Sequence, residues 1–181
     1  SLYSVIKDAD PYIRFVFITG VSKFSKISLF SGLNNLKDIT IDPSYATICG
    51  ITHSELEHHY AHWLGEVDRE KVKAWYNGYQ WMGEGVYNPF GILNFLDMQC
   101  DFQSFWFGTA TPTFLLKLIQ KKQYFLPDLE KVEMDESMLD SFDIDTIELE
   151  TLMWQSGYLT ITEAQSLPMG KLYHLKIPNK E

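Results

Sequence analysis

Cysteine and long apolar runs are what this sequence has least of. It holds only two cysteines, Cys49 and Cys100, which lie far apart and show no metal-binding spacing. That excludes a disulfide framework and is typical of reduced thiols in a cytoplasmic protein. No apolar run reaches the roughly 18 residues of a membrane helix. The first residues also lack a basic segment followed by an apolar stretch, so we expect no signal peptide.

Positive charge is also scarce. The chain has 15 Lys and Arg against 24 Asp and Glu, which gives a formal net charge of -9. The basic residues are scattered, whereas a nucleic-acid binder presents a concentrated basic surface. We therefore predict that this chain alone makes no direct contact with nucleic acid, and none with a membrane.

The common catalytic motifs are missing as well. Gly170-Lys171 is the only Gly-Lys pair, but it lacks the earlier glycine of a phosphate-binding loop and is followed by Leu172. No apolar strand ends in paired acids that could hold magnesium, and no nucleophile motif occurs. We therefore do not expect the residues of this chain to form a complete enzyme by themselves.

Helix start and stop signals dominate the middle of the chain. Thr52-His53-Ser54-Glu55 is a capping box, and Asp68 can cap a second helix that Asn77-Gly78 closes. Asn88-Pro89 and Thr111-Pro112 each place proline at the first position of a further helix. The pattern predicts four helices with these apolar faces: Leu56, Tyr60, Trp63 and Leu64; Val72, Trp75 and Tyr76; Ile92, Leu93, Phe95 and Leu96; and Leu115, Leu118 and Ile119.

The first part of the chain predicts a little β-structure. Phe15–Ile18 is an apolar run typical of a buried strand, and it ends at Thr19-Gly20. Residues 38–42 are a second, brief β-like segment that Pro43 ends.

The last part predicts a helix and a hairpin. A helix is expected over residues 146–156, and the alternating segments 158–162 and 171–177 predict a β-hairpin. Helix and hairpin together favour a winged-helix-like unit. The acidic stretch before them is predicted as a loop with one helical turn around Met138. The predicted fold class is therefore mainly α with minor β.

Four histidines crowd the first predicted helix. His58 and His62 stand at i and i+4, a spacing that can bind zinc, and His53 and His59 lie nearby. No third ligand is evident beside them. The alternative, a solvated polar helix face, is favoured, so we predict no metal site.

Aromatic residues surround two turns, Tyr76-Asn77-Gly78-Tyr79 and Tyr87-Asn88-Pro89-Phe90. Asn-Gly as a helix stop and Asn-Pro as a helix start explain the small residues. The tyrosines, with Trp81, are open to two interpretations: packing in the core or an interface, or contact with a nucleotide.

Several blocks in order resemble one known family. They are FVFITGVSKFSKISLFSGLNNLKDIT, YATICGIT, KAWYNGYQW, VYNPFGILNFL, FWFGTATPTFLL and LMWQSGYLTI followed by LYHLKIPNKE. Together they resemble the later part of the bacterial, Bacteroidetes-type AAA-ATPase-like family. Its members usually carry a restriction-endonuclease-like nuclease domain after the ATPase region.

The resemblance implies that the chain is part of a longer protein that uses ATP and Mg. The phosphate loop and magnesium-binding acids would lie before Ser1, and the nuclease-like domain would begin near Pro178–Glu181. Residues 1–50 would be the end of a P-loop ATPase core with its remnant last strand. Residues 51–125 would form a helical lid, and residues 126–181 the winged-helix-like tail. No ATPase activity is expected of this chain alone, and no tightly bound cofactor.

The resemblance also assigns residues. Thr19 matches the polar residue that senses the γ-phosphate at the end of the last core strand, with Ser22 and Lys23 next in line. Pro89, beside Asn88 and Tyr87, matches a lid position that touches the adenine base. The alternative is a helical protein-interaction module with no nucleotide role. The exposed edge of the Phe15–Ile18 strand would also invite self-association.

Overall fold

The computed structural model describes residues 5–6, 8–20, 36–106, 113–139 and 148–181. In these ranges the protein is mainly helical, with one small antiparallel sheet. The helices are α1 His53–Leu64, α2 Arg69–Tyr76, α3 Pro89–Asp97, α4 Thr113–Lys122, α5 Glu136–Leu139 and α6 Leu149–Gln155. The strands are β1 Val132–Asp135, β2 Thr160–Leu167 and β3 Gly170–Lys176, and short 3-10 turns cover Asp10–Tyr12, Pro43–Tyr45 and Leu126–Lys131. None of the described helices has the length and apolar composition needed to cross a bilayer.

The helix starts follow the sequence signals. The Thr52 hydroxyl accepts from the Glu55 N–H at 3.1 Å, and the Glu55 carboxylate accepts from the Thr52 N–H at 2.8 Å. Asp68 caps α2 and Asn88 caps α3, where Pro89 takes the first helical position. These three predicted helix starts are confirmed, because each depends only on residues next to one another in the chain. The predicted start at Thr111-Pro112 lies outside the described residues.

Helices α1 to α3 share one core. Its buried members are Leu56, Leu64, Val72, Tyr76, Tyr87, Ile92 and Phe95. Two side chains predicted to face this core do not: Trp63 is 60% exposed and Leu93 is 43% exposed. Leu93 lies about 100° around α3 from Ile92, on the side away from Phe95, so it points to solvent. The side chains of Leu115 and Leu118 on α4 lie outside the described residues.

The sheet has the strand order β1-β3-β2, and both pairings are antiparallel. The predicted hairpin is confirmed as β2 and β3, but β2 runs from Thr160 to Leu167 and not over the predicted residues 158–162. The pairing has an irregularity between Ile161 and Glu163. The helical turn predicted around Met138 is α5. Strand β1 was missed, because its alternation of buried and exposed residues covers only four positions within an acidic stretch.

Helix α6 lies in the middle of the second core. Five of its seven residues are buried, so it packs on most of its circumference. It begins later than the predicted residue 146, and residues 140–147 lie outside the described ranges. The buried members of this core are Leu129, Val132, Met134, Leu139, Leu149, Leu152, Met153, Trp154, Leu159, Ile161, Tyr173 and Leu175, and Ile119 of α4 packs against them.

The early part of the chain differs from its prediction. Residues 13–20 carry no helix or strand, and Phe15 is 79% exposed. The predicted strand over Phe15–Ile18 is therefore absent from this chain, since a strand needs a partner for its N–H and C=O groups. The prediction of a β-like segment over residues 38–42 is also wrong, because these residues form a turn before the 3-10 turn at Pro43–Tyr45.

Candidate functional site

An open cleft lies between the helical part of the protein, formed by α1 to α3, and the sheet part, formed by α6 and the three strands. Its volume is about 240 Å³, and it is lined by Cys49, Gly50, Tyr79, Trp81, Val86, Tyr87, Asn88, Pro89, Trp106, Gln155, Ser156 and Gly157. Three of these, Tyr87, Asn88 and Pro89, are the residues assigned to the base of a nucleotide from the sequence. Among the described residues the lining contains no lysine or arginine, so this part of the cleft suits an uncharged aromatic group better than a phosphate.

The loop from Asn77 to Asn88 builds one wall of the cleft. The Asn77 side-chain amide donates to the Gly85 carbonyl at 3.2 Å. Tyr79 and Val86 form a short antiparallel bridge across the loop, in which Val86 N–H donates to the Tyr79 carbonyl at 2.9 Å. The buried side chain of Asn77 is therefore paired within the loop. Its hydrogen bond and the Tyr79–Val86 bridge hold the aromatic residues of the loop in place.

Tyr87 is fully buried and anchors the loop to α1. Its backbone N–H donates to the Ile51 carbonyl at 2.8 Å, and its hydroxyl lies 3.0 Å from Nδ1 of His53. Burial raises the pKa of Tyr87 to about 12, so its phenol is neutral at physiological pH. The sequence placed His53 on a solvated face and missed this pair, which joins residues 34 positions apart.

The start of α3 forms the rim of the cleft. The Asn88 side-chain oxygen accepts from the Phe90 N–H at 2.9 Å, so this oxygen is engaged in capping. Pro89 is half-buried and faces the cleft. Asn88 therefore has a structural role at the rim, while Pro89 presents an apolar surface to a ligand in the cleft.

Three aromatic residues, Tyr79, Trp81 and Trp106, supply part of the remaining wall. Tyr79 and Trp81 are stacked, with ring centroids 6.3 Å apart and planes inclined by 15°. Trp106 packs on Tyr158 with centroids 4.8 Å apart. The sequence indicated Trp81 by its place between the turns, but it gave no signal for Trp106.

The residues assigned to the γ-phosphate do not join this cleft. Thr19 is exposed in the segment without helix or strand and is not among the lining residues. Ser22 and Lys23 lie outside the described residues. This chain therefore brings together the residues proposed for the base but does not bring Thr19 to them.

The histidines of α1 contact neighbouring rings. His58 meets His59 edge-on at 4.6 Å, and His62 meets Trp63 edge-on at 5.7 Å. Across the described ranges, no group of three or more His, Cys, Asp or Glu could hold a metal ion.

A larger groove of about 370 Å³ lies on the sheet part. Among the described residues its lining is acidic and includes Asp128, Glu133, Glu148 and Glu150, with Lys131 as the one basic side chain. Such a surface repels phosphates, so we do not assign a nucleotide to it.

The carboxyl group of Glu181 is half-buried next to Trp106, which lines the cleft. Burial raises the pKa of Glu181, and the backbone N–H groups of Trp106 and Phe105 oppose that rise. A raised pKa means that the folded state favours the protonated form. The corresponding stability is complete below the ordinary value of 4.5 and is lost as the pH rises through the raised pKa.

We therefore expect Glu181→Gln, which mimics the protonated carboxyl, to be more stable than the wild type at neutral pH. The difference in unfolding free energy should shrink as the pH falls through the raised pKa toward 4.5. Urea unfolding of both proteins across this pH range measures it. A difference that does not change with pH would contradict the prediction.

A comparison with known proteins found a protein of similar sequence. A curated protein of Azotobacter chroococcum mcd 1, named "Uncharacterized protein in vnfD 5'region", is 48% identical over 181 residues. The alignment spans all of this chain and 35% of that protein, so the chain covers about a third of the relative's length. No family model matches the chain. No solved structure matches it either.

Proposed function

We propose that the cleft is the base-binding part of an ATP site. In this proposal the chain is the nucleotide-sensing and lid portion of a cytoplasmic AAA-like ATPase and is not catalytically complete by itself. One observation carries the proposal: Tyr87, Asn88 and Pro89 lie in the same open cleft as Trp81 and Trp106. Aromatic rings beside a proline suit a planar base, which stacks on such surfaces whatever its sequence context.

The rest of the site is proposed to come from residues beyond this chain. The phosphate loop and the magnesium-binding acids would precede it, and Thr19, with Ser22 and Lys23, would face the γ-phosphate. Residues 13–20 would then become the last strand of the ATPase core, paired on both sides. The greater length of the Azotobacter relative supports a larger protein. A winged-helix-like role for α6 with β2 and β3, and a nuclease-like domain after them, belong to the same proposal.

The charge of the cleft lining allows a specific prediction about which ligands bind. Because the lining residues that the structure describes include no lysine or arginine, the phosphates gain nothing from them. We expect adenosine and ATP to bind this chain with similar affinity, and no steady-state ATP hydrolysis. Mg should not change the affinity.

The test is a fluorescence titration with a labelled adenosine. Trp81→Ala should weaken binding about tenfold or more, because stacking of one base is worth about 1–3 kcal/mol. Trp63→Ala removes an exposed tryptophan of α1 that does not line the cleft, and it should leave the affinity unchanged. Equal affinity in wild type and Trp81→Ala would remove the base from this cleft.

The alternative is a helical protein-interaction module with no nucleotide role. It is favoured by exposed aromatic side chains in the early segment: Tyr12 is 89% exposed and Phe15 is 79% exposed. Light scattering that shows concentration-dependent association, together with no adenosine binding, would support this alternative.

A further inference from the structure

Residues 178–181, called the tail segment or tail below whatever follows them in the protein, pack across the helical part. They carry no helix or strand, yet the Lys180 N–H donates to the Ala74 carbonyl at 3.2 Å. The Glu181 N–H donates to the Asn179 side-chain oxygen at 3.0 Å, which turns the chain. Pro178 lies against Gly78, so closely that a Cβ there would stand 2.1 Å from the Pro178 oxygen. The tail is therefore docked at several points along its length.

The Glu181 carboxylate contacts Trp106, which lines the cleft, and Gly91 of α3. Its Oε1 accepts from the Trp106 N–H at 2.7 Å. Its Oε2 lies against Gly91, where an added Cβ would stand 2.6 Å from it. Gly91 is in the first turn of α3, two residues after Pro89 on the cleft rim, and Trp106 also lines the cleft. One carboxylate thus joins two elements that shape the cleft.

We propose that residues 178–181 form a latch: Glu181 positions Trp106 in the cleft wall, and docking of the tail is coupled to occupation of the cleft. The nature of the occupant, an adenine base, rests on the function proposed above. A wall that is already fixed loses less conformational freedom when a ligand binds. The coupling is therefore positive: the docked tail favours binding, and by reciprocity a bound base favours the docked tail.

The first experiment needs no ligand. Amide hydrogen exchange is measured at Trp106 in the wild type and in Glu181→Ala. Removing a charge-assisted hydrogen bond should speed exchange of this amide about tenfold or more. Glu181→Gln keeps a side-chain oxygen acceptor and should stay close to the wild type. Glu163→Ala removes an exposed glutamate from β2, away from the cleft, and is the matched control.

A second variant separates the latch from general loss of stability. Gly91→Ala places a methyl group where Glu181 Oε2 now lies, while alanine favours the helix more than glycine does. It should also speed exchange at Trp106, although the thermal stability of α3 itself is not reduced. Wild-type exchange at Trp106 in both Glu181→Ala and Gly91→Ala would overturn the latch.

The second experiment adds labelled adenosine. Glu181→Ala should weaken its binding about fivefold or more, a coupling of ordinary size, and Glu163→Ala should not change it. If adenosine binds all these proteins equally while exchange at Trp106 differs, the coupling is wrong although the contact is real. If the wild type binds no adenosine, the proposed function fails, and the exchange result still decides whether Glu181 holds Trp106.

Discussion

Phe95→Ala is expected to lower the unfolding free energy by about 3–5 kcal/mol, the usual cost of removing a fully buried phenylalanine. Phe95 has no exposed surface, and its ring centroid lies 5.0 Å from that of Tyr76 and 4.8 Å from that of Phe102. It stands at the centre of the core that joins α2 and α3. The cavity left by alanine cannot close without moving these rings, so the loss should be near the upper end of the range.

Leu93→Ala is the matched control for this prediction. Leu93 lies on the same helix but is 43% exposed, so its loss should cost no more than about 1 kcal/mol. Urea unfolding followed by circular dichroism gives both values under the same conditions. Equal losses in the two variants would mean that α3 does not face the core as described.

Gly78→Ala is the second substitution with a large expected effect. Gly78 has a φ of +114°, where other residues are strained, and its added Cβ would meet the Pro178 carbonyl oxygen at 2.1 Å. Backbone strain of about 1–3 kcal/mol and overpacking of similar size should add. We therefore expect the unfolding free energy to fall by roughly 2–6 kcal/mol. The clash is with backbone, so it is relieved only if the tail moves away.

Gly170→Ala separates these two causes. Gly170 has a φ of +138°, but nothing lies within 4 Å of its added Cβ. It should therefore show the strain alone and leave the tail docked, whereas Gly78→Ala should also expose residues 178–181 to proteolysis. A tail that is equally protected in both variants would contradict the close approach of Pro178 to Gly78.

Local signals in the sequence predicted the helix starts well. The caps at Thr52, Asp68 and Asn88 and the hairpin of β2 and β3 each depend on neighbouring residues, and all four are present. The strand expected over Phe15–Ile18 is absent, because an apolar pattern specifies burial but cannot supply a pairing strand.

The site was only partly predictable, because local sequence patterns do not show which distant residues come into contact. The family resemblance singled out Tyr87, Asn88 and Pro89, and the aromatic turns singled out Trp81. All four line the cleft, and their contact with a base stays a prediction. Trp106 and Glu181 were not found, since the hydrogen bond between them joins positions 75 residues apart. Reciprocal bonds between Gln80 and Thr160, 80 residues apart, likewise bring the sheet to the cleft without any local signature.

Photolabelling with an 8-azidoadenine nucleotide, followed by peptide mapping, tests the central proposal most directly. The account predicts label in peptides that contain Tyr79–Pro89 or Gln155–Gly157, and loss of that label when unlabelled adenosine is added. Label spread over the surface, or concentrated on α1 and unaffected by adenosine, would contradict a base-binding cleft.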